Sequence, residues 1–282
     1  MTHANKLSIA LGALLFAAAA QAGGHKLTQL WESEAVLKVP ESVRFDAKRK
    51  VLYVSNIDGQ PWESDGKGSI AKLGLDGKVI AAEWVSAGLD APKGLALSDD
   101  GKWLYAADMG GIDVIDIEAA KLDHKIAIPE GIQLNDLVND KGTLYVSDSK
   151  GKKVFVVKGG KASVYLDEAV LKGPNGLFVH NGALYVLDNN SLNQVQADKS
   201  LKVLADGMPG GVDGLENVKG GDFLVSVWSG AVWYLPAGGD KQLLFDGKAV
   251  KTSTADIGWD PATKTAYVPT FFKNTVIAFK VE

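Results

Sequence analysis

The chain has 282 residues, no cysteine and a formal net charge of −4. The lack of cysteine excludes disulfides and thiolate metal sites, so packing must stabilise the fold. A mildly acidic, dispersed charge argues against a nucleic-acid-binding protein and against binding to acidic membrane surfaces.

The first 22 residues have the features of a secretory signal peptide. Lys6 supplies a short positive start, residues 7–20 are almost entirely apolar, and Ala20-Gln21-Ala22 has the small-x-small form that signal peptidase accepts. The apolar run is shorter than the roughly 18 to 20 residues that span a bilayer. We therefore expect a cleaved leader over 1–22, no membrane span, and a periplasmic or secreted protein; a retained N-terminal anchor is the alternative.

Residues 23–282 contain six copies of one unit and are expected to form one propeller domain. Each unit has a turn, an apolar strand, a short Asp/Asn/Gly turn, a strand of the form Leu-Tyr-Val-x-Asp, and further strands. The units begin at Glu41, Lys93, Asn135, Asn175, Asp213 and Asp256. Their spacing fits the ~40 to 50 residues of a four-stranded blade, whereas an open solenoid favours shorter repeats. With two-residue apolar alternation, this pattern predicts an all-β, six-bladed β-propeller.

The two ends of the chain predict how the ring closes. The last unit, 254–281, contains only three strands. Residues 26–42 match residues 161–176, and both copies contain Glu-Ala-Val-Leu-Lys-x-Pro. The internal copy includes the outer strand of one blade, so residues 27–33 are expected to complete the last blade. This pairing would remove an exposed sheet edge.

Equivalent positions of a propeller meet around its central channel, and all six unit-starting residues are polar. Carboxylates that converge on a narrow channel repel each other unless a cation or a proton compensates them. Oxygen ligands suit Ca²⁺, Mg²⁺ or Mn²⁺. The pattern therefore favours a divalent cation at the channel mouth. The alternative is a solvated channel mouth in which the polar side chains have no function.

Four of these positions resemble the site of the senescence-marker-protein-30/gluconolactonase/luciferin-regenerating-enzyme-like propellers. Glu41 lies in Pro-Glu-Ser, Asn135 in Leu-Asn-Asp, Asn175 in Pro-Asn-Gly and Asp213 in Val-Asp-Gly, in the family's order and spacing. The resemblance covers essentially all of residues 23–282. It implies a metal on Glu41, Asn175 and Asp213, with Ca²⁺ preferred and Mg²⁺, Mn²⁺ or Zn²⁺ as alternatives. It also implies that Asp213 is the general base of lactone or ester hydrolysis, assisted by Asn135.

The chain departs from that family at two places. Val-Pro-Glu-Ser stands where the family usually has Gly-Glu-Gly-Pro, and Gln133 replaces an arginine. The second change weakens the case for a sugar-acid lactone. Lys93 can supply a positive charge instead, although an ion pair with Glu41 or Asp256 is the preferred interpretation.

A long loop over residues 56–68 is expected to lie at the channel mouth and to bring Trp62 over a ligand. Lys93, Gln133, Asp256 and Trp62 are therefore candidate substrate contacts. The tryptophans at 228, 233 and 259 are expected to pack between blades, and Asn56, Asp108, Asp148 and Asp188 to bind nearby backbone N–H groups.

The leading functional hypothesis is a divalent-metal-dependent hydrolase that acts on a small lactone or ester. A noncatalytic periplasmic propeller that binds a ligand or a partner protein is the alternative, because this fold supports both roles. The sequence leaves the oligomeric state open.

Overall fold

A computed structural model describes residues 24–282, which form six four-stranded antiparallel sheets. This confirms the predicted all-β, six-bladed propeller. The predicted leader, residues 1–22, lies outside the described residues. Between residues 24 and 282, no helix is both long and apolar enough to span a membrane.

The first three blades each consist of four consecutive strands. Blade one contains β2 (Pro40–Asp46), β3 (Val51–Asn56), β4 (Ser69–Gly74) and β5 (Val79–Val85). Blade two contains β6 (Leu95–Leu97), β7 (Trp103–Asp108), β8 (Gly111–Asp116) and β9 (Lys121–Ala127). Blade three contains β10 (Leu134–Asp140), β11 (Thr143–Asp148), β12 (Lys153–Lys158) and β13 (Lys161–Leu166).

Blades four and five repeat this arrangement, and the sixth takes one strand from the other end of the chain. Blade four contains β14 (Pro174–His180), β15 (Ala183–Asp188), β16 (Ser191–Val195) and β17 (Leu201–Ala205). Blade five contains β18 (Val212–Lys219), β19 (Asp222–Val227), β20 (Ala231–Leu235) and β21 (Gln242–Asp246). Blade six contains β22 (Gly258–Asp260), β23 (Thr265–Pro269), β24 (Val276–Val281) and β1 (Leu27–Glu32).

The predicted closure of the ring by the N-terminal strand is confirmed. Strand β1 pairs antiparallel with β24, from Leu27 opposite Val281 to Glu32 opposite Ile277. Trp31 also joins blade six to blade one, because its Nε1 donates a hydrogen bond to the Leu75 carbonyl at 2.9 Å.

Local turn chemistry explains why the hairpins form where the sequence indicates. In the turn between β14 and β15, Asn181 and Gly182 have φ values of 52° and 76°. Asparagine and glycine tolerate this left-handed region better than other residues, and two such residues in sequence give the tight turn that matches the strand twist.

Polar residues end the second strands of blades one to four, and they hold the chain where it enters each of these blades. The Asp148 carboxylate accepts hydrogen bonds from the backbone N–H groups of Ile132 and Gln133, both at 2.9 Å. Asp188 likewise accepts from the N–H of Gly173 at 2.7 Å. These bonds confirm the predicted capping role and fix the start of the inner strands of blades three and four.

Blade two contains a buried carboxyl pair outside the cavity described below. The Lys125 ammonium lies 3.0 Å from a carboxyl oxygen of Asp113 and 3.1 Å from one of Asp108. Burial, and then the neighbouring Asp108, raise the pKa of Asp113 to about 9, while Lys125 opposes the shift. The folded protein therefore binds this proton more tightly than the unfolded chain does.

This shift makes the stability of the protein depend on pH. The contribution of Asp113 is complete below the unfolded-state pKa of about 4 and is lost as the pH rises towards the folded-state value. Asp113→Asn has no such proton to lose, so its melting temperature should fall several degrees less than that of the wild type between about pH 5 and about pH 9. Calorimetry would measure how steeply the melting temperature depends on pH in both proteins, with the exposed Asp123→Asn as the control. Equal slopes for Asp113→Asn and the wild type would contradict the assignment.

Candidate functional site

A cavity of about 390 Å³ lies where the inner strands of the blades begin. This volume is within the ~300 to 1,000 Å³ range of small-molecule sites. Its polar floor comprises Glu41, Lys93, Asn135, Asn175 and Asp213. The structure thus brings together five of the six polar residues at which the repeats begin.

The sixth repeat is out of register with the sequence alignment by one residue. In blade one, the buried Val43 pairs with Val54, the valine that follows Tyr53. In blade six, Gly258 pairs with Tyr267, so Ile257 lies opposite the valine that follows that tyrosine. Ile257 therefore occupies the position of Val43.

This register moves Asp256 away from the cavity lining. Ala255 takes the sixth position at the mouth, and Asp256 lies one residue deeper than the alignment predicted. There its carboxylate accepts a hydrogen bond from Ser42 Oγ at 2.5 Å, and burial raises its pKa to about 6. Asp256 contributes charge from below the floor instead of a direct contact with the cavity.

The other candidate substrate contacts divide into two groups. Trp62 lines the cavity, as does Lys93, whereas Gln133 does not. Gln133 is positioned by its backbone instead: its N–H donates to Asp148, and its carbonyl accepts from the N–H of Ser149 at 3.0 Å.

Lys93 is buried at the floor, with 1% of its surface exposed. Its ammonium donates to the Ala91 carbonyl at 2.7 Å and lies 4.4 Å from the ring centroid of Trp62. The prediction that Lys93 forms an ion pair with Glu41 or Asp256 is wrong, because within residues 24–282 no carboxylate lies within 4.0 Å of this ammonium. Burial lowers the pKa of Lys93, and the charge of Glu41 opposes that shift.

Two oxygen atoms of the floor are buried and have no hydrogen-bond partner among residues 24–282. They are Glu41 Oε2 and Asn175 Oδ1. The other end of the Asn175 amide is engaged, since its Nδ2 donates to Asp213 Oδ1 at 3.1 Å. A buried acceptor without a partner costs about 1 to 3 kcal/mol, which a bound cation would offset.

The donor set fits a cation that accepts oxygen ligands. Across residues 24–282, no group of three or more His, Cys, Asp or Glu side chains is arranged to hold a metal. A metal at this floor would instead be held by two carboxylates and an amide oxygen, from Glu41, Asp213 and Asn175. Such a combination suits Ca²⁺ better than it suits Zn²⁺.

The electrostatics of the floor agree with a compensating cation or proton. Burial, followed by the charges of Asp213 and Asp256, raises the pKa of Glu41 well above its ordinary value. Burial and Asp256 also raise the pKa of Asp213, against the hydrogen bond from Asn175. The two carboxyls therefore resist carrying two negative charges without compensation.

Asp136, a buried carboxyl directly below the floor, was not predicted as a site residue from the sequence. Its carboxylate accepts hydrogen bonds from the backbone N–H groups of Leu137 and Leu177, both at 2.6 Å, and so links blade three to blade four. A Cβ on Gly94, its neighbour in blade two, would lie 2.4 Å from Asp136 Oδ1. Glycine at that position lets the inner strands approach this closely. The signal was an aspartate at a repeat position that is glycine in blades two, four and five.

An aromatic wall, formed by Trp62, Trp228, Phe271 and Phe272, rises above the floor. The ring centroid of Phe271 lies 4.8 Å from that of Phe272 and 5.7 Å from that of Trp228, in edge-to-face arrangements. Trp228 is 41% exposed, so its predicted packing between blades is wrong. The other two tryptophans, Trp233 and Trp259, do pack against cores of the blades.

Comparison with known proteins shows the fold. No family model matches the chain, and no curated protein matches it. A gluconolactonase from Xanthomonas campestris is 18% identical, with a TM-score of 0.66 over 92% of this chain and 91% of its own. The PQQ-bound aldose sugar dehydrogenase from Streptomyces coelicolor is 14% identical, with a TM-score of 0.68 over 93% and 100%.

A third solved structure is virginiamycin B lyase from Staphylococcus aureus. It is 13% identical to this chain, with a TM-score of 0.64 over 91% of this chain and 99% of its own. The three proteins share the propeller and carry different activities. Since fold alone does not specify an activity, the function must be argued from the cavity.

Proposed function

We propose that the cavity is the active site of a divalent-metal-dependent hydrolase of small lactones or esters, with a site of the senescence-marker-protein-30/gluconolactonase type. One observation carries this proposal: Glu41 Oε2 and Asn175 Oδ1 are buried without hydrogen-bond partners and line one cavity with Asp213. The fold shared with a gluconolactonase is consistent with this role.

Glu41, Asn175 and Asp213 would hold the metal through oxygen atoms, with Ca²⁺ preferred and Mg²⁺, Mn²⁺ or Zn²⁺ as alternatives. When bound, such an ion polarises a carbonyl and makes a coordinated water more acidic. In the absence of histidine and cysteine from this set, the softer ions are the less suitable ones.

The chain's own residues would supply proton transfer and orientation. Asp213 would accept the proton of the water that adds to the carbonyl carbon, after which the ring or ester C–O bond breaks to give a hydroxyl and a carboxylic acid. Asn175 donates to Asp213 and fixes the orientation of its carboxylate. Asn135 is held by its bond to Ser149 Oγ at 3.1 Å and presents its amide to the cavity. Lys93 supplies the basic side chain of the floor, and burial lowers its pKa.

A noncatalytic propeller that binds a ligand or a partner protein is the second candidate. The exposure of Trp228 and Phe272 favours it, because large exposed aromatic side chains are typical of binding surfaces. In both cases we propose a periplasmic or secreted protein, on the basis of the leader predicted over residues 1–22.

Metal analysis and hydrolysis assays on the purified protein test the proposal. We expect bound divalent metal, hydrolysis of a lactone or an aryl ester, loss of that activity with chelator, and recovery on adding Ca²⁺. Glu41→Gln should lower metal affinity by at least about tenfold, since it replaces a charged ligand by a neutral one. The exposed Glu168→Gln serves as the matched control. Hydrolysis that persists in metal-free protein would contradict the metal's role, and saturable ligand binding without hydrolysis would favour the second candidate.

A further inference from the structure

We propose that the substrate carries an aromatic ring, and that the aromatic wall binds this ring while the polar floor acts on the carbonyl. The inference rests on the proposed hydrolase function and adds the substrate class to it. It predicts a preference for aryl-fused or aryl-substituted lactones and esters over polyhydroxylated sugar lactones.

The distribution of polar groups in the cavity supports an apolar substrate. Each nitrogen-bearing side chain of the floor already makes one hydrogen bond within the protein: Lys93 to the Ala91 carbonyl, Asn135 to Ser149 Oγ, and Asn175 to Asp213. Above the floor, Gln60 is the one side-chain amide among the described lining residues. A substrate with several hydroxyl groups would lose its hydrogen bonds to water here and regain few of them.

The backbone at Phe271 buries one aromatic ring and presents the next. Phe271 begins a one-turn 3₁₀ helix, Phe271–Lys273, and has a φ of 52°, a left-handed conformation that bulky residues rarely adopt. Its own side chain is 5% exposed, whereas that of Phe272 is 66% exposed. Residues in rarely adopted backbone conformations are concentrated at ligand sites. Here the conformation of Phe271 keeps the exposed Phe272 ring at the cavity.

The wall and the floor are close enough to bind one small molecule. Trp62 belongs to the wall, and the Lys93 ammonium of the floor lies 4.4 Å from its ring centroid. Aromatic pairs are favourable at centroid separations of about 4.5 to 7 Å, so a substrate ring can pack edge-on against Phe272 or Trp228. Its carbonyl would then be directed at the floor.

Three lactones with the same six-membered lactone ring test this inference: 3,4-dihydrocoumarin, δ-valerolactone and D-glucono-δ-lactone. Phe272→Ala should lower kcat/KM for dihydrocoumarin by about tenfold, with a much smaller loss for δ-valerolactone, which has no aromatic ring. Phe272→Tyr should keep kcat/KM for dihydrocoumarin close to that of the wild type, because it retains an aromatic ring. Val203→Ala, at an exposed apolar residue of an outer strand, is the control.

A binding measurement separates this inference from the proposed function. The unreactive lactams 3,4-dihydro-2-quinolinone and δ-valerolactam are titrated into the same variants by calorimetry. Tighter binding of the quinolinone that is lost in Phe272→Ala supports the inference even if no lactone is hydrolysed, an outcome in which only the proposed function fails. Hydrolysis that favours gluconolactone, with quinolinone binding unchanged in Phe272→Ala, would overturn the inference and leave the hydrolase standing.

Discussion

Asp213→Asn is expected to reduce kcat/KM for every accepted lactone or ester by about 100- to 10,000-fold. The substitution keeps the size of the side chain and an oxygen that can accept the hydrogen bond from Asn175, but it removes the base and one negative charge of the proposed metal site. The fold should persist, because the change adds no volume at a buried position and removes a carboxylate from an acidic channel. Steady-state kinetics with saturating Ca²⁺ would measure the loss.

A comparison with Glu41→Gln distinguishes the base from a metal ligand. Glu41 is proposed only as a ligand, so added Ca²⁺ should restore much of the activity of Glu41→Gln. Asp213→Asn should stay inactive at every Ca²⁺ concentration, since mass action can refill a weakened site but cannot supply a base. Asp240→Asn, at an exposed turn, should match the wild type. Unchanged hydrolysis in Asp213→Asn would remove Asp213 from the mechanism.

The fold was predictable because its determinants are local and repeated. Each hairpin is specified by two-residue alternation and by turns such as Asn181-Gly182, whose φ values are positive in the structure. The closure was predictable from the duplicated Glu-Ala-Val-Leu-Lys-x-Pro segment. Leu37 and Leu171, which occupy equivalent places in the two copies, are both buried. Similar sequence in the two copies therefore packs in a similar way.

The site was predictable only where the repeats position it. Glu41, Asn175 and Asp213 start inner strands, and equivalent strands must meet around the axis. The sequence alignment gave the wrong register at Asp256. The buried apolar residues two positions after each repeat start, such as Val43, indicate the correct register, because Ile257 fits that position and Gly258 does not. Register in a sheet follows the apolar face, so these apolar residues are a safer guide than a polar match.

Trp62 was predicted at the cavity from the loop over residues 56–68. The rest of the aromatic wall could not be predicted from the repeats, because its residues do not lie in strands. Trp228 follows β19 directly, while Phe271 and Phe272 form a short helical turn between β23 and β24. Their meeting depends on the backbone conformation at Phe271 and on how blades five and six pack. Neither property has a periodic signature in the sequence.

Removal of residues 24–33 is expected to lower the melting temperature by roughly 10 °C or more, or to leave an aggregating protein. The deletion removes β1, exposes the hydrogen-bonding edge of β24, and takes away Trp31 together with its bond to the Leu75 carbonyl. Differential scanning fluorimetry and light scattering at several protein concentrations would measure both effects.

Trp31→Ala in the full chain separates the loss of one side chain from the loss of the closing strand. Truncating a large, well-packed aromatic residue costs about 3 to 5 kcal/mol, and less where the residue is partly exposed, as Trp31 is. The deletion must destabilise more than this, because the edge of β24 also loses its partner. A peptide of residues 24–36 added in trans should restore part of the melting temperature, and a scrambled peptide should not. If the deletion and Trp31→Ala destabilise equally, the strand pairing itself contributes little, and β1 stabilises the ring mainly through Trp31.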